Sequence, residues 1–113
     1  MIKLFGACIQ TRNIMEMVEF YTKLFGKDPT IDGGVDHRFL DEQFIIYKLS
    51  DNETPITQNM SVIYQVKCAN SFYEELQNKH LPLLGPPTNK PWGVCSFFLK
   101  DPDGNIISFF NNL

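Results

Sequence analysis

Residues 91–105, PWGVCSFFLKDPDGN, decide the fold. Trp92 to Lys100 is predicted as a long strand. Asp101 to Asn105 is then a tight hairpin turn, in which Pro102 pre-sets φ and Gly104 supplies the left-handed position. Ile106 to Asn111 returns as the closing strand. Moving outward, Leu81 to Leu84 is a strand closed by Gly85-Pro86-Pro87. Before it, Phe72, Tyr73, Leu76 and His80 lie along a helix, with Ser71 and Glu74 in capping-box spacing at its start. Ser61 to Val66 is the strand that leads into that helix. The second half of the chain therefore has the order βαβββ.

The first half has the same order. Residues 2 to 10 are predicted as a short buried strand. Asn13 has the character of a helix N-cap, with Glu16 three residues on. Ile14, Met17, Val18, Tyr21 and Phe25 then fall on one helical stripe. Gly26 stands where a left-handed C-terminal residue belongs. Strands follow near Lys27–Ile31, Asp36–Leu40 and Phe44–Leu49, punctuated by Asp32-Gly33-Gly34 and Asp41-Glu42-Gln43. The polar, aperiodic stretch from Asp51 to Asn59, with Pro55, is a connector. The halves also share residues: Phe20-Tyr21-x-x-Leu24 answers Phe72-Tyr73-x-x-Leu76. Modules of about 1–56 and 57–113 are each too small to bury a sheet alone, so they are expected to pair into one body.

Composition bounds the function. The 113 residues make one domain's worth of chain, 43% hydrophobic and 20% charged, which excludes global disorder. No apolar run reaches the length of a bilayer span. The first residues lack the layout of a signal peptide, so the cytoplasm is the expected compartment. The net charge is −3, and the ten basic residues form no stripe. Nucleic acid is therefore not an expected partner, and neither is a membrane. Cys8, Cys68 and Cys95 form no CxxC pair and are expected as buried free thiols. Ten Phe, four Tyr and one Trp are enough aromatic mass to fill a core or to line an apolar cavity.

The tail from Pro91 to Asn105 resembles the closing hairpin of the vicinal oxygen chelate superfamily, which includes glyoxalase I, bleomycin resistance proteins and extradiol dioxygenases. The Asn13–Gly26 segment, with Phe20-Tyr21 and Leu24-Phe25-Gly26, resembles that superfamily's first helix. The resemblance implies an α+β fold: two paired βαβββ modules whose mixed sheet curls into a cup, one glyoxalase/bleomycin-resistance-like domain over residues 1–113. Metal enzymes of the superfamily bind a divalent ion through His, Gln or Glu on the first and last strands of each half. Here those positions fall on Gly6, on Ser61, on Ser108, and on Ile46 (Tyr47 if the register slips). Gly and Ile have no donor, and Ser is a poor one. The resemblance therefore points to the branch without metal or other cofactor, which sequesters a small molecule and is commonly homodimeric. The alternative is a metal-dependent lyase or isomerase with displaced ligands, for which His37, Glu42 and Cys8 are the suspects.

Candidate site residues follow from strand alternation. His37 and Phe39 share a face, and His37 is suited to proton transfer or hydrogen bonding near neutral pH if that face lines the cup. Cys8 shares a strand face with Gly6. Ser61 and Ile63 form a mixed hydroxyl and apolar face, as do Ser108 and Phe110. Trp92 is placed to cap the crevice. These eight residues, Cys8, His37, Phe39, Ser61, Ile63, Trp92, Ser108 and Phe110, make up the expected ligand site. His80 is expected to be structural, in the left-handed conformation at the end of the second helix. No nucleophile elbow, phosphate loop or Ser/His/Asp pattern is present.

Overall fold

A computed structural model describes Met1, residues 3–53 and residues 61–113. The chain divides into two compact units, Met1–Asn59 and Met60–Leu113. The expected module boundary near residues 56 and 57 lies outside the described residues, as does most of the Asp51–Asn59 connector. Among the described residues the order is β1 (Ala7–Thr11), α1 (Ile14–Phe25), β2 (Ile31–Asp32), β3 (Asp36–Phe39) and β4 (Phe44–Lys48). There follow β5 (Val62–Gln65), α2 (Ala69–Asn78), β6 (Thr88–Lys90), β7 (Val94–Lys100) and β8 (Ile106–Asn112). Each unit is a βαβββ module with one four-stranded sheet, ordered β1-β4-β3-β2 in the first and β5-β8-β7-β6 in the second. First and last strands pair in parallel and the other neighbours are antiparallel, so both sheets are mixed. This is the α+β architecture expected from the sequence.

The first strand is shorter than predicted. It begins at Ala7 because its partner begins at Phe44, and residues 3–6 lie exposed without a strand partner. α1 ends as expected, with Gly26 at φ 70° and its N–H bonded to Thr22 O at 2.9 Å. Asn13 is the N-cap, but no capping box forms there. Its backbone N–H goes to Thr11 Oγ1 at 2.9 Å, the bond a box would have given to Glu16. The buried stripe is Met17, Phe20, Tyr21 and Leu24, turned slightly from the predicted one. Tyr21 and Phe25 rest on Phe44 and Phe39, at ring centroid distances of 4.7 Å for Tyr21–Phe44 and 5.4 Å for Phe25–Phe39. The buried phenylalanine rings among them, Phe39 and Phe44, stabilise the module by about 1.5–3 kcal/mol each.

The β3–β4 connection makes a left-handed turn from ordinary residues. Leu40, Asp41 and Glu42 have φ of 54°, 56° and 68°. The conformation costs roughly 1–2 kcal/mol per non-glycine residue. It brings the next carbonyl, that of Gln43, onto the Ala7 N–H at 2.8 Å and so starts the β1–β4 ladder.

In the second module α2 starts earlier than predicted. Its N-cap is Cys68, and Ser71 lies inside the first turn. The acceptor comes from another strand: Asn111 Oδ1 takes the Ala69 N–H at 2.7 Å. His80 follows the helix at φ 58°, the left-handed position expected of it. The predicted strand at Leu81–Leu84 is only a bridge between Leu83 and Leu99, and the module's second strand is instead Thr88–Lys90. Pro82, Pro86 and Pro87 lack N–H groups, which interrupts this edge of the sheet. β7 starts at Val94, because Lys90 to Gly93 form a turn closed by Gly93 N to Lys90 O at 3.1 Å. The core under α2 is a stack of rings. Phe97 lies against Phe109 at 5.4 Å, Phe72 meets Phe109 at 4.9 Å, and Tyr64 stacks on Phe109 at 5.3 Å. In the DPDGN turn Asp101, 4% exposed, accepts the N–H groups of Asp103 and Asn105 and the Asn105 carboxamide.

Candidate functional site

Each sheet has one face under its helix and one face open. Registered partners share a face, so the ladders assign every side chain. In the first module Phe39 and Phe44 lie under α1. The register places His37 and Ile46 on the same side. The open face carries two cross-strand rows. One is Ile31–Arg38–Ile45–Cys8 and the other is Asp36–Tyr47–Gln10. In the second module Tyr64, Phe97 and Phe109 lie under α2. The open rows there are Ile63–Ser108–Phe98 and Gln65–Phe110–Ser96–Thr88.

The expected site residues separate on this geometry. Ile63, Ser108 and Phe110 share the open face of the second module, with Ser61 just ahead of β5 in the same alternation. Cys8 is on the open face of the first module. His37 and Phe39 lie on the other face of that sheet, under α1. Phe39 is 2% exposed and packs on Phe25, while His37 is 8% exposed, with Nε2 2.7 Å from Asp32 Oδ1. The physical reason is the phase of β3: the strand turns its charged residues, Asp36 and Arg38, away from the helix. Trp92 sits in the exposed Lys90–Gly93 turn, 74% exposed. Two of the three thiols expected to be buried, Cys8 and Cys68, are exposed; only Cys95 is buried.

Sequence reasoning did not place Asp36, Arg38 or Gln10 in the site, and named Tyr47 only as a metal position if the register slips. Arg38 Nε donates to Asp36 Oδ2 at 2.8 Å, and each side chain is about one-third exposed (32% and 31%). Tyr47 donates its hydroxyl to Glu53 Oε2 at 3.3 Å, and the Ser50 N–H bonds Glu53 Oε1 at 2.9 Å. Arg12 Nη2 also donates to the Glu53 carbonyl. The Ser50 hydrogen bonds hold the Glu53 carboxyl below the usual range, and the Glu53 charge pushes the Tyr47 hydroxyl up. Burial raises the Cys8 thiol, Arg38 opposes that, and Asp36 adds to it. The raised pKa disfavours the thiolate, the form a nucleophilic cysteine uses. At the start of α2 an open depression of about 550 Å³ is lined by Val66, Lys67, Cys68, Ser71, Phe72 and Glu75. There the Ser71 hydroxyl donates to Cys68 Sγ at 3.3 Å and lowers that thiol's pKa.

The positions that hold metal in the superfamily do not suit one here. A Cβ at Gly6 would fall on the Gln43 carbonyl oxygen and within 2.7 Å of its carbon. The position admits no liganding side chain unless the backbone moves. Of the two alternatives on the last strand of the first module, Ile46 is buried under the helix and Tyr47 is on the open face. The remaining positions are the serines Ser61 and Ser108. The displaced set does not converge either, since Cys8 and His37 lie on opposite faces and Glu42 in an exposed turn. Among the described residues no three His, Cys, Asp or Glu side chains are grouped to hold a metal ion. No helix among them is long and apolar enough to cross a membrane.

Several solved structures share this fold. A glyoxalase/bleomycin resistance protein/dioxygenase from Nocardioides matches with a TM-score of 0.79 at 18% identity, over 100% of this chain and 85% of that one. One of the same description from Alicyclobacillus acidocaldarius matches with a TM-score of 0.73 at 18% identity, over 98% and 92%. A protein of unknown function from Agrobacterium tumefaciens matches with a TM-score of 0.77 at 21% identity, over 99% and 95%. No curated protein matches the sequence significantly. The family model of the Glyoxalase/Bleomycin resistance protein/Dioxygenase superfamily matches residues 3–109. With that match spanning nearly the whole sequence, the chain belongs to the glyoxalase/bleomycin resistance protein/dioxygenase superfamily.

Proposed function

We propose that this protein binds a small organic molecule on its open sheet faces, sequesters it, and needs no metal ion to do so. One observation carries the reading. The open face of the second module sets Ile63, Phe98 and Phe110 in register with Ser96, Ser108 and Gln65. Ile63 is 63% exposed and Phe98 37% exposed. Apolar walls with a few hydroxyl and amide anchors are the usual makeup of a site for a neutral or aromatic ligand. The missing room at Gly6 and the serines at two other ligand positions support the metal-free part. A homodimer belongs to the same reading, supported by Leu4 and Phe5 lying exposed ahead of β1; sedimentation equilibrium tests it.

The binding test is a thermal melt after EDTA treatment, repeated with Ni²⁺, Zn²⁺, Mn²⁺, Fe²⁺ and Mg²⁺, and then with planar aromatic molecules. A ligand at 100 times its Kd stabilises the fold by about 2.7 kcal/mol. The expected outcome is a shift with an aromatic compound and none with any metal. An EDTA-reversible metal shift would move the protein to the metal-dependent lyase or isomerase branch. No shift with either class would overturn the binding reading.

A further inference from the structure

Arg38 stands in the middle of the first module's open face, between the aliphatic side chains of its register partners Ile31 and Ile45. A guanidinium has five N–H donors. The bond from Nε to Asp36 Oδ2 uses one of them. The donors on the two terminal nitrogens meet no protein acceptor among the described residues. Asp36 holds the group by one edge, which reduces its rotamer freedom. A guanidinium that is half-desolvated, held in place and open at its terminal nitrogens matches the geometry of a planar oxyanion.

We propose, resting on the small-molecule reading above, that Arg38 is the anchor for a carboxylate on the ligand, with Asp36 as its positioning residue. The molecule bound is then an aromatic or aliphatic carboxylic acid. Its carboxylate takes two parallel hydrogen bonds from the terminal nitrogens of Arg38. Its apolar body lies along Ile31 and Ile45. The neighbouring Cys8 thiol, whose pKa is raised, adds no competing negative charge. Tyr47 and Gln10, in the adjacent row, offer neutral hydrogen-bonding groups beside the charged one.

The test is isothermal titration calorimetry of the whole protein with 1-naphthoate and with its neutral isostere 1-naphthamide. The native protein is expected to bind the carboxylate about tenfold more tightly, and 0.5 M NaCl is expected to narrow that gap. R38Q is expected to abolish the preference, so that acid and amide bind with equal affinity. R38K is expected to retain only part of it, because an ammonium is a point charge without the planar fork. Equal binding of acid and amide by the native protein would overturn this assignment and leave the small-molecule reading standing. So would a preference that survives in R38Q. Failure of both compounds to bind at millimolar concentration would count against the binding reading itself, and against this one with it.

Discussion

Replacing Gly6 by alanine tests whether the position just ahead of β1 has room for a side chain. The added Cβ would sit on the Gln43 carbonyl oxygen, within 2.7 Å of its carbon and 2.9 Å of its Cα. All three are backbone atoms of the residue that follows the left-handed turn, so no side chain can swing aside. Relief requires that β1 move away from β4, which stretches the Ala7 N to Gln43 O bond of 2.8 Å. Losing that bond costs about 1 kcal/mol. Overpacking against a fixed backbone costs about 1–3 kcal/mol more. The sum, about 2–4 kcal/mol, is a large share of a small domain's total stability. At about 4 °C per kcal/mol it lowers Tm by roughly 8–16 °C, measured by circular dichroism. Gly33 supplies the control. A Cβ there meets the Asp36 Oδ1 atom at 2.8 Å, the far end of a side chain that can rotate, so G33A is expected to lose less than about 1 kcal/mol. A G6A protein that melts within about 2 °C of the parent would refute the steric argument and reopen Gly6 as a ligand position.

H80G is expected to raise stability by about 0.5–1 kcal/mol in urea titration, since His80 is held at φ 58° and glycine adopts that conformation without strain. D101A removes the acceptor of three hydrogen bonds in the closing hairpin turn and is expected to cost about 2–4 kcal/mol in the same assay. Iodoacetamide at pH 7, followed by mass spectrometry, is expected to modify Cys68 before Cys8. The Ser71 hydroxyl lowers the pKa of the first thiol, burial raises that of the second, and both are exposed to the reagent. The folded-state pKa of Glu53 is depressed, so its contribution is fully present above the unfolded pKa of about 4.3 and is lost as pH falls through the folded value. The Tyr47–Glu53 contact is therefore expected to persist at pH 5 and to open in stronger acid, read from the Tyr47 ring resonances; opening at pH 6 would contradict it.

The sequence legibly encoded the repeated element order, because two FYxxL helices and a DPDGN hairpin are local signals tied to turn and helix chemistry. Boundaries were less legible wherever a partner outside the segment decides them. β1 starts where Phe44 offers a ladder, and α2 starts where Asn111 offers an acceptor. The edge near Leu81–Leu84 was misplaced because proline spacing, rather than hydrophobicity, governs it. At the site, alternation groups His37 with Phe39 but does not say which face of β3 turns outward. The signal was present in the residue types. Asp36 and Arg38 are hard to place beneath a helix, and Phe39 is not.

The parallel pairing of first and last strands sets how each module must fold. Ala7 meets Phe44 and Val62 meets Ile107 across the helix and the two strands between them in sequence. The β3–β4 and β7–β8 hairpins close over short loops, whereas β1–β4 and β5–β8 close over most of a module. Contacts of long sequence separation form late and slow the search. Each hairpin is therefore expected to form first, and the first strand of each module to dock after it. Until it docks, β4 and β8 present a bare edge to solvent, the state from which pairing with another chain would begin.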